Sequence, residues 1–378
     1  MVGNDIPMFI TNPSSHITAG GEFLASDAAP FKDMEPEMTH SFEAGIEARF
    51  LKNRIGLNAT FYKTNTRNQF FKLPTLSGDK YAYRYVNAGD IQNVGWEISL
   101  DAVPLLTNHF KWKTEVNFST NCNKIISLHE ALKEFLYGPT SFSSSYAMKL
   151  VKGGSIGDMY VTELRRDEKG HYVLTSDGGV QVNTESDKKY GKYVGNMNAN
   201  WQMGWTNTFS YKDFSLSFLI NGRIGGKVLS LTESYLDARG LSQRSADARL
   251  AAEANNIVAA DYGNKPGMML DDGSGRIVPI ESYYKSIGGT SPNAVDNYLY
   301  SGTNFRLREL SFGYTFRDLF GANKNLTLSF IGRNLFFLYK DAPTDPDVSL
   351  STANGLGAYE VFNMPSSRSF GFSLNVNF

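Results

Sequence analysis

The sequence predicts an all-β chain, an antiparallel transmembrane β-barrel segment of about nine strands with short turns at one end and long loops at the other. Three observations predict it. Apolar and polar residues alternate strictly over stretches long enough for a tilted strand to cross a bilayer, about ten residues. The connections between these stretches are short and long by turns. The composition is aromatic and Gly-rich, without any long apolar run.

The first strand is the clearest. Over Ser41–Leu51, Phe42, Ala44, Ile46, Ala48 and Phe50 are apolar, and Ser41, Glu43, Gly45, Glu47 and Arg49 are small or charged. That is a period of two without exception. A Lys52-Asn53 turn follows, and then Ile55, Leu57, Ala59 and Phe61 alternate with polar residues and Gly56. Trp96, Ile98, Leu100 and Ala102 mark the third strand. Beyond a turn at Thr107-Asn108, Phe110, Trp112, Val116 and Phe118 mark the fourth, with Thr114 as a polar residue on the apolar face. Met203, Trp205 and Phe209 lie on the fifth. Phe214, Leu216, Phe218 and Ile220 lie on the sixth, across a Lys212-Asp213 turn. Leu310, Phe312, Tyr314 and Phe316 form the seventh, and Leu326, Leu328 and Phe330 the eighth. The last strand is Phe370, Phe372, Leu374, Val376 and the terminal Phe378.

The turns at Lys52, Thr107, Lys212 and near Gly321 span a few residues each. The segments 64–92, 121–200, 225–303 and 339–367 are long. Loops of dozens of residues on every second connection are foreign to compact soluble sandwiches. Short periplasmic turns with long extracellular loops are the anatomy of outer-membrane barrels. Within the long segments, 171–175 and 180–182 around Ser176-Asp-Gly-Gly read as a hairpin, and the Ala-rich stretch 242–256 reads as a short helix.

Composition agrees. The 378 residues include 20 Tyr, 26 Phe and 4 Trp, 13% aromatic, with 35 Gly. Mean hydropathy is −0.31, which a barrel tolerates because only alternate residues face lipid. The net charge of −1 gives no basis for nucleic-acid binding. The single cysteine, Cys122, excludes an internal disulfide, and His16, His40, His109, His129 and His171 have no ligand spacing. The sequence opening at Met1 has no signal peptide, so the expectation is a truncated or split product. Residues 1–40 are then the remnant of an extracellular loop, and 41–378 the barrel strands and loops.

Several stretches together resemble the SusC/RagA-like TonB-dependent transporters of Bacteroidota. They are Met34-Glu-Pro-Glu-Met-Thr-His-Ser-Phe-Glu-Ala-Gly-Ile-Glu, Val86-Asn-Ala-Gly-Asp-Ile-Gln-Asn-Val-Gly-Trp-Glu-Ile-Ser-Leu, and Gly204-Trp-Thr-Asn-Thr-Phe-Ser-Tyr-Lys-Asp-Phe-Ser-Leu. Phe305-Arg-Leu-Arg-Glu-Leu-Ser-Phe-Gly-Tyr, Gly332-Arg-Asn-Leu-Phe and Asp345-Pro-Asp-Val-Ser complete the set. The resemblance runs from about Phe31 to Phe378. It implies a part of a larger barrel of about 22 strands, located in the cell outer membrane and surrounded by its lipid. It implies import of glycan or peptide nutrients driven through TonB, and a SusD-like surface lipoprotein as lid. The plug domain and the earlier strands would be missing partners, and Phe378 would be the terminal residue read by barrel-assembly machinery. The competing readings are a passive outer-membrane barrel and a soluble carbohydrate-binding β-domain.

Motifs for chemistry are weak. Gly153-Gly-Ser-Ile-Gly matches the G-x-S-x-G elbow, with Ser155 as its serine, but that motif needs a strand before it, a helix after it and downstream Asp and His, and the only downstream His, His171, sits in the expected hairpin. Asp271-Asp-Gly-Ser-Gly has carboxylates and Gly as a Ca²⁺ loop has, without the full spacing or the closing Glu. Ile224-Gly-Gly-Lys-Val lacks the first Gly and the Ser/Thr of a P-loop. No catalytic, metal or cofactor residue is therefore assigned, and the chain is not expected to be an enzyme. Trp96, Trp112, Trp205, Phe370 and Phe372 are the expected lipid-interface aromatics, each Trp near a strand end with its N–H reaching water. Tyr146, Tyr160, Tyr193, Tyr235 and Tyr262 are loop aromatics that could stack on sugar faces, against the plainer alternative of packing within the loops.

Overall fold

Nine strands pair strictly in chain order. In the computed structural model they are β1 (Met38–Phe50), β2 (Ile55–Arg67), β3 (Asp90–Leu106), β4 (Phe110–Ser127), β5 (Trp201–Tyr211), β6 (Phe214–Ile224), β7 (Asn304–Phe316), β8 (Asn325–Lys340) and β9 (Ser369–Asn377). They form one sheet in the order β1 to β9, with β1 and β9 as its edges among the described residues. Every pairing is antiparallel. The structure describes residues 28–29, 35–74, 83–87, 89–128, 134–137, 146–185, 188–290, 293–319, 321, 324–349 and 357–377.

Register turns the alternation of single strands into two continuous faces. One cross-strand row reads Ala48, Leu57, Leu100, Val116, Trp205, Ile220, Leu307, Phe336. The next row reads Glu47, Asn58, Ser99, Asn117, Gly204, Asn221, Arg306, Phe337. A one-residue slip of any strand would exchange the faces, so the pattern itself holds the register. The polar face is cross-linked by side chains. Arg49 bonds both Asp101 oxygens at 2.9 Å, Ser99 bonds Asn117 at 2.9 Å, and Arg333 bonds Glu309 at 2.9 Å. Close approach requires glycine at Gly95, where a Cβ would meet the Thr120 carbonyl oxygen at 2.3 Å and the Tyr62 ring at 2.4 Å. A Cβ on Gly56 would meet the head groups of the Arg49–Asp101 pair.

The short turns lie where the sequence puts them. Leu51, Lys52 and Asn53 all have positive φ, Thr107 Oγ1 accepts from Phe110 N at 3.0 Å, and Lys212 takes φ 52° between the paired Tyr211 and Phe214. Arg317 Nε reaches Asp213 Oδ1 at 2.5 Å, tying the last short turn to the one before it.

The strands are longer than the ten residues expected. β3 has 17, β4 has 18 and β8 has 16. At about 3.4 Å per residue such strands exceed the hydrocarbon core of a bilayer, and their polar continuations, such as Asn121, Asn123 and Lys124, run on at the loop end. β1 begins at Met38, three residues before the alternation read from Ser41. A bulge also interrupts the alternation of β7. Its register shifts between Leu307 and Glu309, so Phe305 and Leu307 share a face with Leu310, Phe312 and Tyr314 although their spacing changes phase. Arg308 is the extra residue.

The long connections carry structure of their own. The expected helix is α2 (Gln243–Ala254), with Ser242 Oγ accepting from Ser245 N at 3.1 Å as its N-cap. Two further helices, α1 (Leu231–Ala238) and α3 (Ile280–Ile287), are not among the elements expected from the sequence. The expected hairpin is present as single bridges, Leu174 with Val180 and Leu164 with Val182. Lys227–Ser230 pairs with Leu299–Ser301 and with Tyr359–Glu360, joining two loops in one small sheet. No described helix is long and apolar enough to cross a membrane, which leaves strand crossings untouched.

Candidate functional site: an apolar belt and a packed loop cap

The apolar face exposes its side chains. Phe42 is 61% exposed and Phe372 79%, whereas apolar side chains of a soluble sheet are buried against a second layer. Phe370 lies beside Phe330, with ring centroids 6.0 Å apart. Phe378 lies outside the described residues.

All three expected Trp residues lie on this face, but not in one role. Trp96 is aligned through Thr120 with Trp201, the first residue of β5, and packs on Phe61 at 5.1 Å. Trp201 is half exposed and was missed, because the alternation of β5 was read from Met203 onward. Trp205 lies inside the span, in the row of Leu100 and Val116. Its indole Nε1 donates to Thr114 Oγ1 at 3.0 Å, and Trp112 Nε1 donates to Asn207 Oδ1 at 2.9 Å. The expectation that these two N–H groups reach water is corrected: Thr114 and Asn207, paired across β4 and β5, supply the acceptors. Asn207 is buried and its Nδ2 has no partner among the described residues.

At the loop end, three long connections pack into one apolar core of Tyr146, Met159, Leu229, Leu231, Tyr298 and Tyr359. A second core joins Val180, Ala252, Val278, Ile280 and Tyr283. Buried acids fasten the segments. Glu360 accepts from Ser230 Oγ and Thr232 Oγ1, each at 2.7 Å. Asp237 accepts from Tyr298 Oη at 2.9 Å and from Arg244 Nη2 at 2.7 Å.

The last connection is locked to the wall by charge. Arg306, nearly buried, bonds Asp345, and its guanidinium lies 3.9 Å from the Phe337 ring centroid. Asp347 pairs with Arg308 at 3.2 Å, and Arg308 bonds Asn334 Oδ1 at 2.8 Å. Burial alone would push the Asp345 carboxyl up. Hydrogen bonds from Ser366 and Arg306 outweigh it and hold the group below its ordinary range. Three separated stretches, 305–308, 332–336 and 345–349, thus meet at one point.

The loop tyrosines divide. Tyr146 is 2% exposed and packs on Tyr359 at 5.1 Å, so its ring belongs to the core and stacking on a sugar is ruled out for it. Tyr160 and Tyr193 lie 5.5 Å apart, with Tyr193 half exposed. Tyr235 packs edge-on against Phe362 at 5.5 Å. Tyr262 packs against the second core.

The chemical motifs serve the scaffold. Ser155 Oγ bonds Asn123 Oδ1 at 3.2 Å in a turn. Asp272 has a depressed pKa: burial would raise it, but bonds from Ser274, Tyr172 and Arg276 prevail. Gly225 and Gly226 turn the chain with positive φ at the end of β6.

Comparison with known proteins agrees with this geometry. A family model described as TonB dependent receptor-like, beta-barrel, matches residues 10–335. TonB-dependent receptor P3 of Formosa agariphila is 23% identical over 90% of this chain and 34% of its own length. TonB-dependent receptor SusC of Bacteroides thetaiotaomicron is 23% identical over 92% of this chain and 34% of its own. The RagAB peptide importer in its open-open state superposes with a TM-score of 0.68 at 17% identity, over 94% of this chain and 36% of that one. The chain spans about a third of the length of these relatives.

Proposed function

This chain belongs to the TonB-dependent receptor-like β-barrel family, a family of outer-membrane transporters, and from that membership we propose that it forms the wall and loop cap of an active nutrient importer. In this reading β1–β9 cross the outer membrane, the short turns face the periplasm and the loop cap faces outward. The cargo is a glycan or peptide fragment. A SusD-like lipoprotein covers the cap, TonB supplies the energy, and further strands and a plug of the same transporter meet the edges at β1 and β9. Trp96, Trp112, Trp205, Phe370 and Phe372 face lipid, with Trp205 at depth rather than at the boundary. Phe378 serves barrel assembly. Of the five loop tyrosines, Tyr193 is the best placed to meet cargo, being half exposed where the other four are more buried.

The observation that carries the proposal is the pair of continuous faces across the strands, apolar on one side and cross-linked polar on the other. The test follows a labelled oligosaccharide and a labelled peptide into cells expressing the chain in its native transporter, with and without TonB. Uptake of either that stops without TonB is expected. Uptake indifferent to TonB would point to a passive barrel, and a chain found in the soluble fraction would overturn the membrane reading.

A further inference from the structure

We infer that the cavity between α1, α2 and α3 in the loop cap is a subsite for an oxyanion-bearing small molecule with an apolar face, of the acidic-sugar class. It deepens the import reading by naming a cargo class, and it rests on that reading only for its physiological meaning.

The cavity measures about 700 Å³, which is the size of a small-molecule pocket. Four cations line it: Arg239, Arg249, Lys265 and Lys285. Lys285 is paired with Glu281 at 2.5 Å. The other three have no carboxylate partner among the described residues; Arg249 Nη2 donates to the Gly240 carbonyl at 2.9 Å. The acids in the lining are Glu281, so engaged, and Asp237, whose Oδ2 is held by Arg244 at 2.7 Å. Three lining cations without a carboxylate partner among the described residues give the cavity a positive excess that an oxyanion would neutralise.

Two features sharpen the match. α3 opens into this cavity with Ile280 and Glu281, and its N-cap, Pro279, makes no side-chain capping bond. The first-turn N–H groups and the positive end of the helix dipole therefore add to the cationic field. Tyr284 and Pro279 supply an apolar wall. A neutral sugar would leave the cations unused, and a bare inorganic anion would leave the apolar wall unused.

The experiment titrates the full chain, refolded in detergent, with D-glucuronate, glucose 6-phosphate and neutral D-glucose in a calorimeter. Binding of the anions that weakens with salt is expected, with glucose weaker by roughly tenfold or more. The Arg249→Gln/Lys265→Gln chain should lose roughly tenfold or more in anion affinity, whereas Lys169→Gln, outside the cavity, should lose none. Glucuronate and glucose 6-phosphate distinguish carboxylate from phosphate as the preferred group, and binding of either supports the site. Equal affinity for glucose and both anions, full anion affinity in the double variant, or absence of anion binding overturns it. Should the double variant fail to fold, free sulfate competing with glucuronate on the unmodified chain decides: displacement supports the site and its failure overturns it. Binding without TonB-dependent uptake would sink the import reading alone; uptake without binding would sink the subsite alone.

Discussion

At the scale of single residues, the informative ones break the alternation. Thr114 and Asn207 are polar on a face otherwise given to lipid, and each is explained by an indole N–H. A buried amide with one end bonded is a debt that the surrounding packing carries. Trp112→Phe would leave Asn207 without its partner and should destabilise the folded state by about 1–3 kcal/mol, whereas Trp112→Phe combined with Asn207→Leu should restore most of that loss. Urea unfolding of the refolded chain in lipid, followed by Trp emission, measures both. Additive losses in the double variant would show that the two side chains act independently.

At the scale of elements, legibility follows the physics that made each one. Strands were readable because lipid on one side and polar contacts on the other impose a period of two, and residues 41–51 display it without exception. Where a bulge shifts the phase, as at Arg308, the upper part of β7 escaped notice although Phe305 and Leu307 carry the same signal one residue out of step. α2 was visible through its Ala content and its Ser242 cap. α1 was not, because two of its three buried positions are the polar Ser234 and Asp237; α3 does carry an apolar stripe, Ile280, Tyr283, Tyr284 and Ile287, but over only eight residues, too short a run to stand out from its loop. The Arg306–Asp345 lock was hidden for a related reason: its partners lie 39 residues apart and nothing local links them. That lock gives two predictions. Arg306→Ala leaves Asp345 buried without its counter-charge, with Ser366 as its remaining side-chain donor, and should cost about 3–5 kcal/mol, read as faster proteolysis within 341–349. The second concerns pH. The Asp345 carboxyl is depressed in the folded state, so its stabilisation is complete above the ordinary Asp value of about 3.9 and fades as pH falls through the folded value. The protection of the Asp347 and Val348 amides, taken as the exchange rate relative to the intrinsic rate at each pH, should fall on acidification below that ordinary value and remain flat above it; loss of protection beginning near neutrality would assign the effect to another group.

At the scale of the whole molecule, the sheet has two edges without a paired strand among the described residues, and one lipid-suited face. β1 is exposed on both faces over nearly its full 13 residues, and β9 over nearly all of its nine. Unsatisfied backbone groups within a bilayer cost several kcal/mol each, and an exposed edge recruits another strand. The chain refolded alone in detergent should therefore associate through β1 and β9 rather than remain monomeric, despite a packed loop cap. Co-refolding with the remaining strands of its transporter should convert the oligomers to a single species of defined size. Sedimentation in density-matched detergent reads this directly. Strand-edge association further predicts that single cysteines introduced at Phe42 and Phe372, on a background with Cys122→Ser, form intermolecular disulfides in the chain alone and lose them when the other strands are present. A monodisperse monomer without those strands would mean that β1 and β9 find each other and that nine strands close by themselves, which the stagger of the row from Ala48 to Phe336 would then have to accommodate.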